Sequence, residues 1–169
     1  LKGLINVAIV VDGDTVQIKE NQSPGAEFSI SLVLTNGLHV LKVICLNSGG
    51  EGVAASIKTF TGEDMPQIPT EVTAVAEESG KVTLSWTLPE AGINGGWVNL
   101  TKVSYDILRN GESLSTDIKE TTYIDNLPEN ELKSYKYTVI VKFGGEECGS
   151  VESNSVVFGK AVSLPYEQT

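Results

Sequence analysis

The sequence predicts an all-β chain of two β-sandwich units in tandem, the first lacking its opening two strands. Three observations carry this expectation: apolar and polar residues alternate with period two in successive runs, turn residues separate the runs, and the runs recur at a fixed offset. No stretch shows the apolar stripe of a helix. Of the 169 residues 40% are hydrophobic and 20% charged, enough apolar matter for a packed core and too little charge for a disordered tail.

The first run, Val7-Ala8-Ile9-Val10-Val11, ends at Asp12-Gly13-Asp14, where residues that tolerate positive φ favour a tight turn. Leu41-Lys42-Val43-Ile44-Cys45 alternates, which predicts a strand with Cys45 as a small buried hydrophobe. Two prolines in Thr61-Gly62-Glu63-Asp64-Met65-Pro66-Gln67-Ile68-Pro69 read as a short, stiff linker. Val72 to Ala76 and Val82 to Leu88 follow as strands, the second turning Trp86 inward. Val103 to Leu108 runs into Asn110-Gly111, a strong hairpin signal. Tyr135 to Phe143 reads as one long central strand, with Tyr135, Tyr137, Val139, Val141 and Phe143 on one side.

The halves of the chain match. Val11-Asp12-Gly13-Asp14-Thr15-Val16 aligns with Arg109-Asn110-Gly111-Glu112-Ser113-Leu114, Leu41 to Cys45 with Tyr137 to Val141, and Gly62 with Gly159, at offsets of 96 to 98 residues. That is the size of one sandwich domain. The second copy has a leading segment, Pro69 to about Leu100, that the first lacks. The expected organisation is therefore a partial domain over 1–62, a linker over 63–68, a complete domain over 69–160, and a tail or the start of a further element over 161–169. A face carrying His39, Leu41, Val43 and Cys45 without an opposing sheet needs cover. A neighbouring chain at the open edge would give it, unless residues before Leu1 complete the sandwich.

Chemistry is sparse. Twelve Lys and Arg against 22 Asp and Glu leave a net charge of -10, the wrong sign for a duplex-binding protein. No apolar run reaches the length of a membrane span. One histidine, His39, removes every mechanism that needs two imidazoles. Cys45 and Cys148 allow at most one internal disulfide, and Cys148, after Gly144-Gly145-Glu146-Glu147, reads as an exposed loop residue. Neither Cys nor His shows metal-ligand spacing. Asp12-Gly13-Asp14-Thr15-Val16 lacks the full calcium-loop pattern. Glu63-Asp64 reads as a solvated pair, and no glycine-rich phosphate loop is present. The expectation is no cofactor, no metal and no catalysis.

Successive segments resemble the strands of a fibronectin type III domain, an immunoglobulin-like sandwich. They are Pro69-Thr70-Glu71-Val72-Thr73-Ala74, Val82-Thr83-Leu84-Ser85-Trp86, Tyr105-Asp106-Ile107, Thr122-Tyr123-Ile124-Asp125-Asn126-Leu127 and Tyr137-Thr138-Val139-Ile140-Val141. The resemblance implies that Trp86 fills the core and Tyr137 closes the corner. The first copy is similar to the later strands of the same module, with Leu41 where the corner tyrosine would stand. Gly62-Glu63-Asp64-Met65-Pro66 and Ile93-Asn94-Gly95-Gly96-Trp97 resemble tandem modules of secreted or surface Bacteroidetes proteins. Leu164 to Thr169 is similar to the opening of the jelly-roll anchor domain that follows such modules.

The function this implies is a non-catalytic extracellular spacer and interaction module. Its partners would be neighbouring domains of a larger protein, a protein or glycan ligand, or a second copy through the truncated first domain. The alternative is a carbohydrate- or peptide-binding module that uses Trp97 with Asn94 and Asn99, since an exposed indole stacks on a sugar face. Against that stand a Trp97 folded back on its own sandwich or turned toward the first domain. Asn99-Leu100-Thr101 is an N-glycosylation sequon, and Asp14-Thr15-Val16 resembles the O-glycosylation motif of exported Bacteroidetes proteins.

Overall fold

The computed structural model describes residues 3–129 and 132–161; the segment similar to an anchor domain, 164–169, lies outside them. Two compact units are present: Leu1–Asp64 with Ala91–Trp97, and Met65–Glu90 with Val98–Thr169.

The first unit is one antiparallel sheet of β1 (Ile5–Val11), β2 (Asp14–Gln22), β3 (Gly37–Asn47), β4 (Gly50–Glu51) and β5 (Ala55–Thr61). The order is β2-β1-β3-β4, with β5 also on β3. Asp12 (φ 53°) and Gly13 (φ 101°) make the turn between β1 and β2 in the left-handed region their residue types tolerate. Asp12 N–H donates to Val40 O at 2.9 Å, and Asp12 Oδ1 accepts from Val40 N–H at 2.8 Å, which pins the hairpin to β3. Val7 stands opposite Cys45, Ile9 opposite Val43 and Val11 opposite Leu41, so these side chains share one face. Ser23 to Asn36 joins β2 to β3 without strand pairing.

The second unit holds β6 (Val72–Ala76), β7 (Lys81–Trp86), β8 (Val103–Arg109), β9 (Glu112–Ile118) and β10 (Thr122–Asn126), followed by β11 (Lys133–Tyr135), β12 (Tyr137–Phe143), β13 (Glu146–Glu152) and β14 (Val156–Phe158). One sheet runs β10-β7-β6, the other β13-β12-β8-β9, and β11 pairs with β14. Alternate residues of both sheets meet in one core containing Val82, Leu84, Trp86, Tyr105, Ile107, Tyr137, Val139 and Val141. The Trp86 and Tyr105 rings meet edge to face, 5.2 Å apart. Asn154 fastens the edge strand β6, its Oδ1 accepting from Ala74 N–H at 2.8 Å and its Nδ2 donating to Ala74 O at 2.9 Å.

The internal repeat persists at the level of register. Ile9 opposite Val43 corresponds to Ile107 opposite Val139, and Val7 opposite Cys45 to Tyr105 opposite Val141. The turn device repeats too: Asn110 N–H donates to Lys136 O at 2.8 Å, and its Oδ1 accepts from Lys136 N–H at 2.8 Å. That device also interrupts the expected nine-residue strand. Lys136 bonds the Asn110 turn, so the chain pairs with β14 before it and with β8 and β13 after it.

Three other expectations are corrected. Cys45 is exposed rather than buried, because no strands among the described residues stand over its face of the first sheet. Cys148 is half-buried within β13 and not in a loop; burial, and then the Glu147 charge, raise its thiol pKa. Asp64 is buried, not solvated, for the reason given next.

Candidate functional site

Asp64 organises the loop that carries two of the three candidate ligand residues. Its side chain is 2% exposed, and removing a carboxylate from water requires replacement bonds. Oδ2 accepts from Asn94 N–H at 2.8 Å and Gly96 N–H at 3.1 Å, while Oδ1 accepts from Asn94 Nδ2 at 3.0 Å. Asp64 N–H donates to Trp97 O at 2.8 Å. Gly92 and Gly96 are required by this close approach: a Cβ on Gly92 would lie 2.2 Å from Asp64 Oδ2, and one on Gly96 2.4 Å from the Phe60 ring.

The loop backbone is therefore fixed while the Trp97 side chain stays 65% exposed. Asn94 is exposed, but its amide nitrogen is engaged with Asp64. Asn99 belongs to the second unit and caps the short 3-10 turn Leu100–Lys102, its Oδ1 accepting from Thr101 N–H at 3.2 Å and Thr101 Oγ1 at 2.8 Å. Asn94 and Trp97 thus share one anchored loop, whereas the Asn99 side chain is occupied by its own turn.

The second feature is an apolar groove of about 440 Å3 on the first unit, on the face whose Leu41 and Val43 the sequence left in need of cover; sequence reasoning did not single out the wall that segment 30–34 gives it. Its floor is Ile9, Leu41 and Val43, and its walls include Ile57 of β5 and the alternating Ile30, Leu32 and Leu34 of the unladdered segment. The available signal was that alternation, Ile-Ser-Leu-Val-Leu, which puts three apolar side chains on one side of an extended chain.

His39, in β3 of this sheet, is buried with acceptors at both ring nitrogens, Asp12 Oδ2 at 2.7 Å from Nδ1 and Thr35 O at 2.8 Å from Nε2. Only the doubly protonated ring donates to both. The Asp12 hydrogen bond, reinforced by Thr35, raises the His39 pKa above its ordinary 6.5. The Val40 N–H bond, with His39 second, lowers that of Asp12. In the second unit, Asp125 Oδ2 accepts from the Tyr137 hydroxyl and from Arg109 Nη1, both at 2.8 Å. Burial, followed by this hydrogen bond to Asp125, pushes the Tyr137 phenol well above its usual range. Burial also raises Tyr105, whose hydroxyl, like Trp86 Nε1, has no partner in hydrogen-bonding geometry, although the nearby indole moderates the rise.

Among the described residues no group of three or more His, Cys, Asp and Glu is placed to hold a metal ion. No helix among them is long and apolar enough to cross a membrane.

No family model matches the chain, and no curated protein matches it. Among solved structures it is similar to an Fn3-like protein from Clostridium thermocellum, at 22% identity over 61% of this chain and 100% of that one, with TM-score 0.39. It is also similar to the FN1-FN3 domains of chicken CNTN1, at 16% identity over 94% and 57% of the two chains, with TM-score 0.41. Domains d3-d4 of the rat CD45 extracellular region align at 13% identity over 85% and 76%, with TM-score 0.44. The fold class rests on the strand order itself. A three-stranded sheet β10-β7-β6 and a four-stranded sheet β13-β12-β8-β9 make the second unit a fibronectin type III-like sandwich. The first unit repeats the larger sheet alone.

Proposed function

We propose that this chain is a non-catalytic spacer and interaction module of a larger extracellular protein. The supporting observation is where its polar side chains are spent. The buried serine, histidine and acidic side chains among the described residues are His39, Asp64, Ser104, Asp125 and Ser153. Each is committed to the fold: His39 to Asp12 and Thr35, Asp64 to its loop, Asp125 to Tyr137 and Arg109. Ser104 bonds Asp117, and Ser153 bonds the Tyr137 backbone and Asn154 O. Such bonding is what structural polar groups show, whereas a reactive group must reach a substrate. The extracellular setting, as part of a secreted or surface Bacteroidetes protein, rests on the resemblance of Gly62-Glu63-Asp64-Met65-Pro66 and Ile93-Asn94-Gly95-Gly96-Trp97 to tandem modules of such proteins. The test is incubation of the purified chain with glycoside, ester and peptide panels. No turnover is expected; turnover that one substitution abolishes would overturn the reading.

A second reading, glycan binding, is favoured by one observation: Trp97 is exposed on a loop whose backbone Asp64 holds in place. A fixed, exposed indole is a ready stacking surface for a sugar ring. Glycan-array binding lost in Trp97→Ala and kept in Asn99→Ala is the expected result. Binding indifferent to Trp97→Ala removes this reading.

A further inference from the structure

We propose that the groove of the first unit is a strand-acceptor site whose occupant is a pair of antiparallel β-strands with apolar residues at alternate positions. The second unit shows what such an occupant does. There β6 and β7 lie on the sheet that faces β8 and β12, and β10 pairs with β7 along its whole length. Ile107 and Val139 are fully buried beneath that layer. Their counterparts Ile9 and Val43 occupy the same register, and while Ile9 is buried at the groove floor, Val43 is 39% exposed and Ile57 beside it 63% exposed. The segment that precedes β3, as β10 precedes β11 and β12 in the second unit, carries Ile30, Leu32 and Leu34 and has no ladder partner.

The site thus offers both elements of strand addition. Backbone donors and acceptors along 28–34 are free of ladder partners, and the adjoining apolar groove sorts incoming side chains by alternation. An α-helix would satisfy neither. Its hydrogen bonds are internal, and its apolar residues recur every three to four positions rather than every two. The groove is almost wholly apolar, so a charged or sugar ligand would lose hydration without gaining partners. The chemistry required is that of Val72 to Trp86 in this same chain, where Val72, Ala74, Val82, Leu84 and Trp86 point inward.

Cys45 is a built-in reporter. It is exposed beside Val43 on the open face, and its counterpart Val141 is fully buried. In a Cys148→Ser chain it is the sole thiol. The probe is a synthetic peptide of residues 69–88, with a control carrying Val82→Ser, Leu84→Ser and Trp86→Ser. In a second arm the same segment is fused ahead of Leu1 through a Gly/Ser linker, which removes dependence on the free peptide's solubility. Alkylation of Cys45 by N-ethylmaleimide should slow about tenfold when free peptide exceeds its Kd tenfold, and more in the fusion. The control should change nothing. Unchanged alkylation in both arms overturns the proposal. So does alkylation that slows with chain concentration alone, which would place a second copy in the groove.

Discussion

Two fully buried tyrosines in one core make opposite predictions. The Tyr137 hydroxyl donates to Asp125 Oδ2 at 2.8 Å, whereas the Tyr105 hydroxyl has no partner. A hydrogen bond to a charged acceptor contributes about 1.5–3 kcal/mol, and Asp125 keeps Arg109 when the phenol is lost, so Tyr137→Phe should destabilise the second unit by about that amount. Tyr105→Phe removes a desolvated hydroxyl that has no partner in hydrogen-bonding geometry, only the nearby indole moderating its burial, while leaving the ring against Trp86. Its effect should lie between neutral and a gain of about 1 kcal/mol. The assay is urea unfolding followed by Trp86 fluorescence in a Trp97→Phe background, so that the signal comes from the second core. The two variants should differ from each other by about 1.5–4 kcal/mol at constant m-value. Equal destabilisation by both substitutions would refute the reasoning, because it would show that the ring and not the hydroxyl decides.

Asn154→Ala should release β6 by deleting both bonds to Ala74, costing about 1–3 kcal/mol, with the loss of amide protection in hydrogen exchange concentrated at Val72–Ala76. The His39 pKa is raised, so its stabilising contribution is complete below 6.5 and disappears as pH rises through the folded value. Asp12, with a lowered pKa, contributes above 3.8 and fails as pH falls through its own folded value. An NMR titration of the single imidazole should give a midpoint above 6.5 that Asp12→Asn moves downward; a midpoint at or below 6.5 contradicts the assigned bonds. Asp64→Ala should free the loop from Gly92 to Trp97, seen as faster proteolysis there and lower Trp97 fluorescence anisotropy, with the second core unchanged.

Period-two patterning made most of the fold legible, because alternate burial is a local property of each strand. Trp86 and Tyr137 could be placed inward for that reason, and the Asp12-Gly13 and Asn110-Gly111 turns because their residue types bear positive φ. Features set by distant segments were not legible. Cys45 alternates correctly with its neighbours, but whether its face is covered depends on strands elsewhere in the chain. Asp64 reads as a solvated acid beside Glu63 because its partners, Asn94 and Gly96, lie some thirty residues away. The candidate site was half visible: composition pointed to Trp97, while the carboxylate that anchors its loop carries no local signal.

The Asn154 clasp on Ala74 also bears on how the second sandwich responds to mechanical load. Tension entering from Met65 reaches β6 first, since that strand opens the unit. Were β6 held by β7 alone, an outward pull could peel it open one backbone bond at a time. The carboxamide grips both the N–H and the C=O of Ala74 from the opposite edge of the strand, midway along its five residues. Beyond the Val72–Ser153 bridge, peeling must therefore stop at Ala74 until two further bonds break together, which adds a second point of resistance to force.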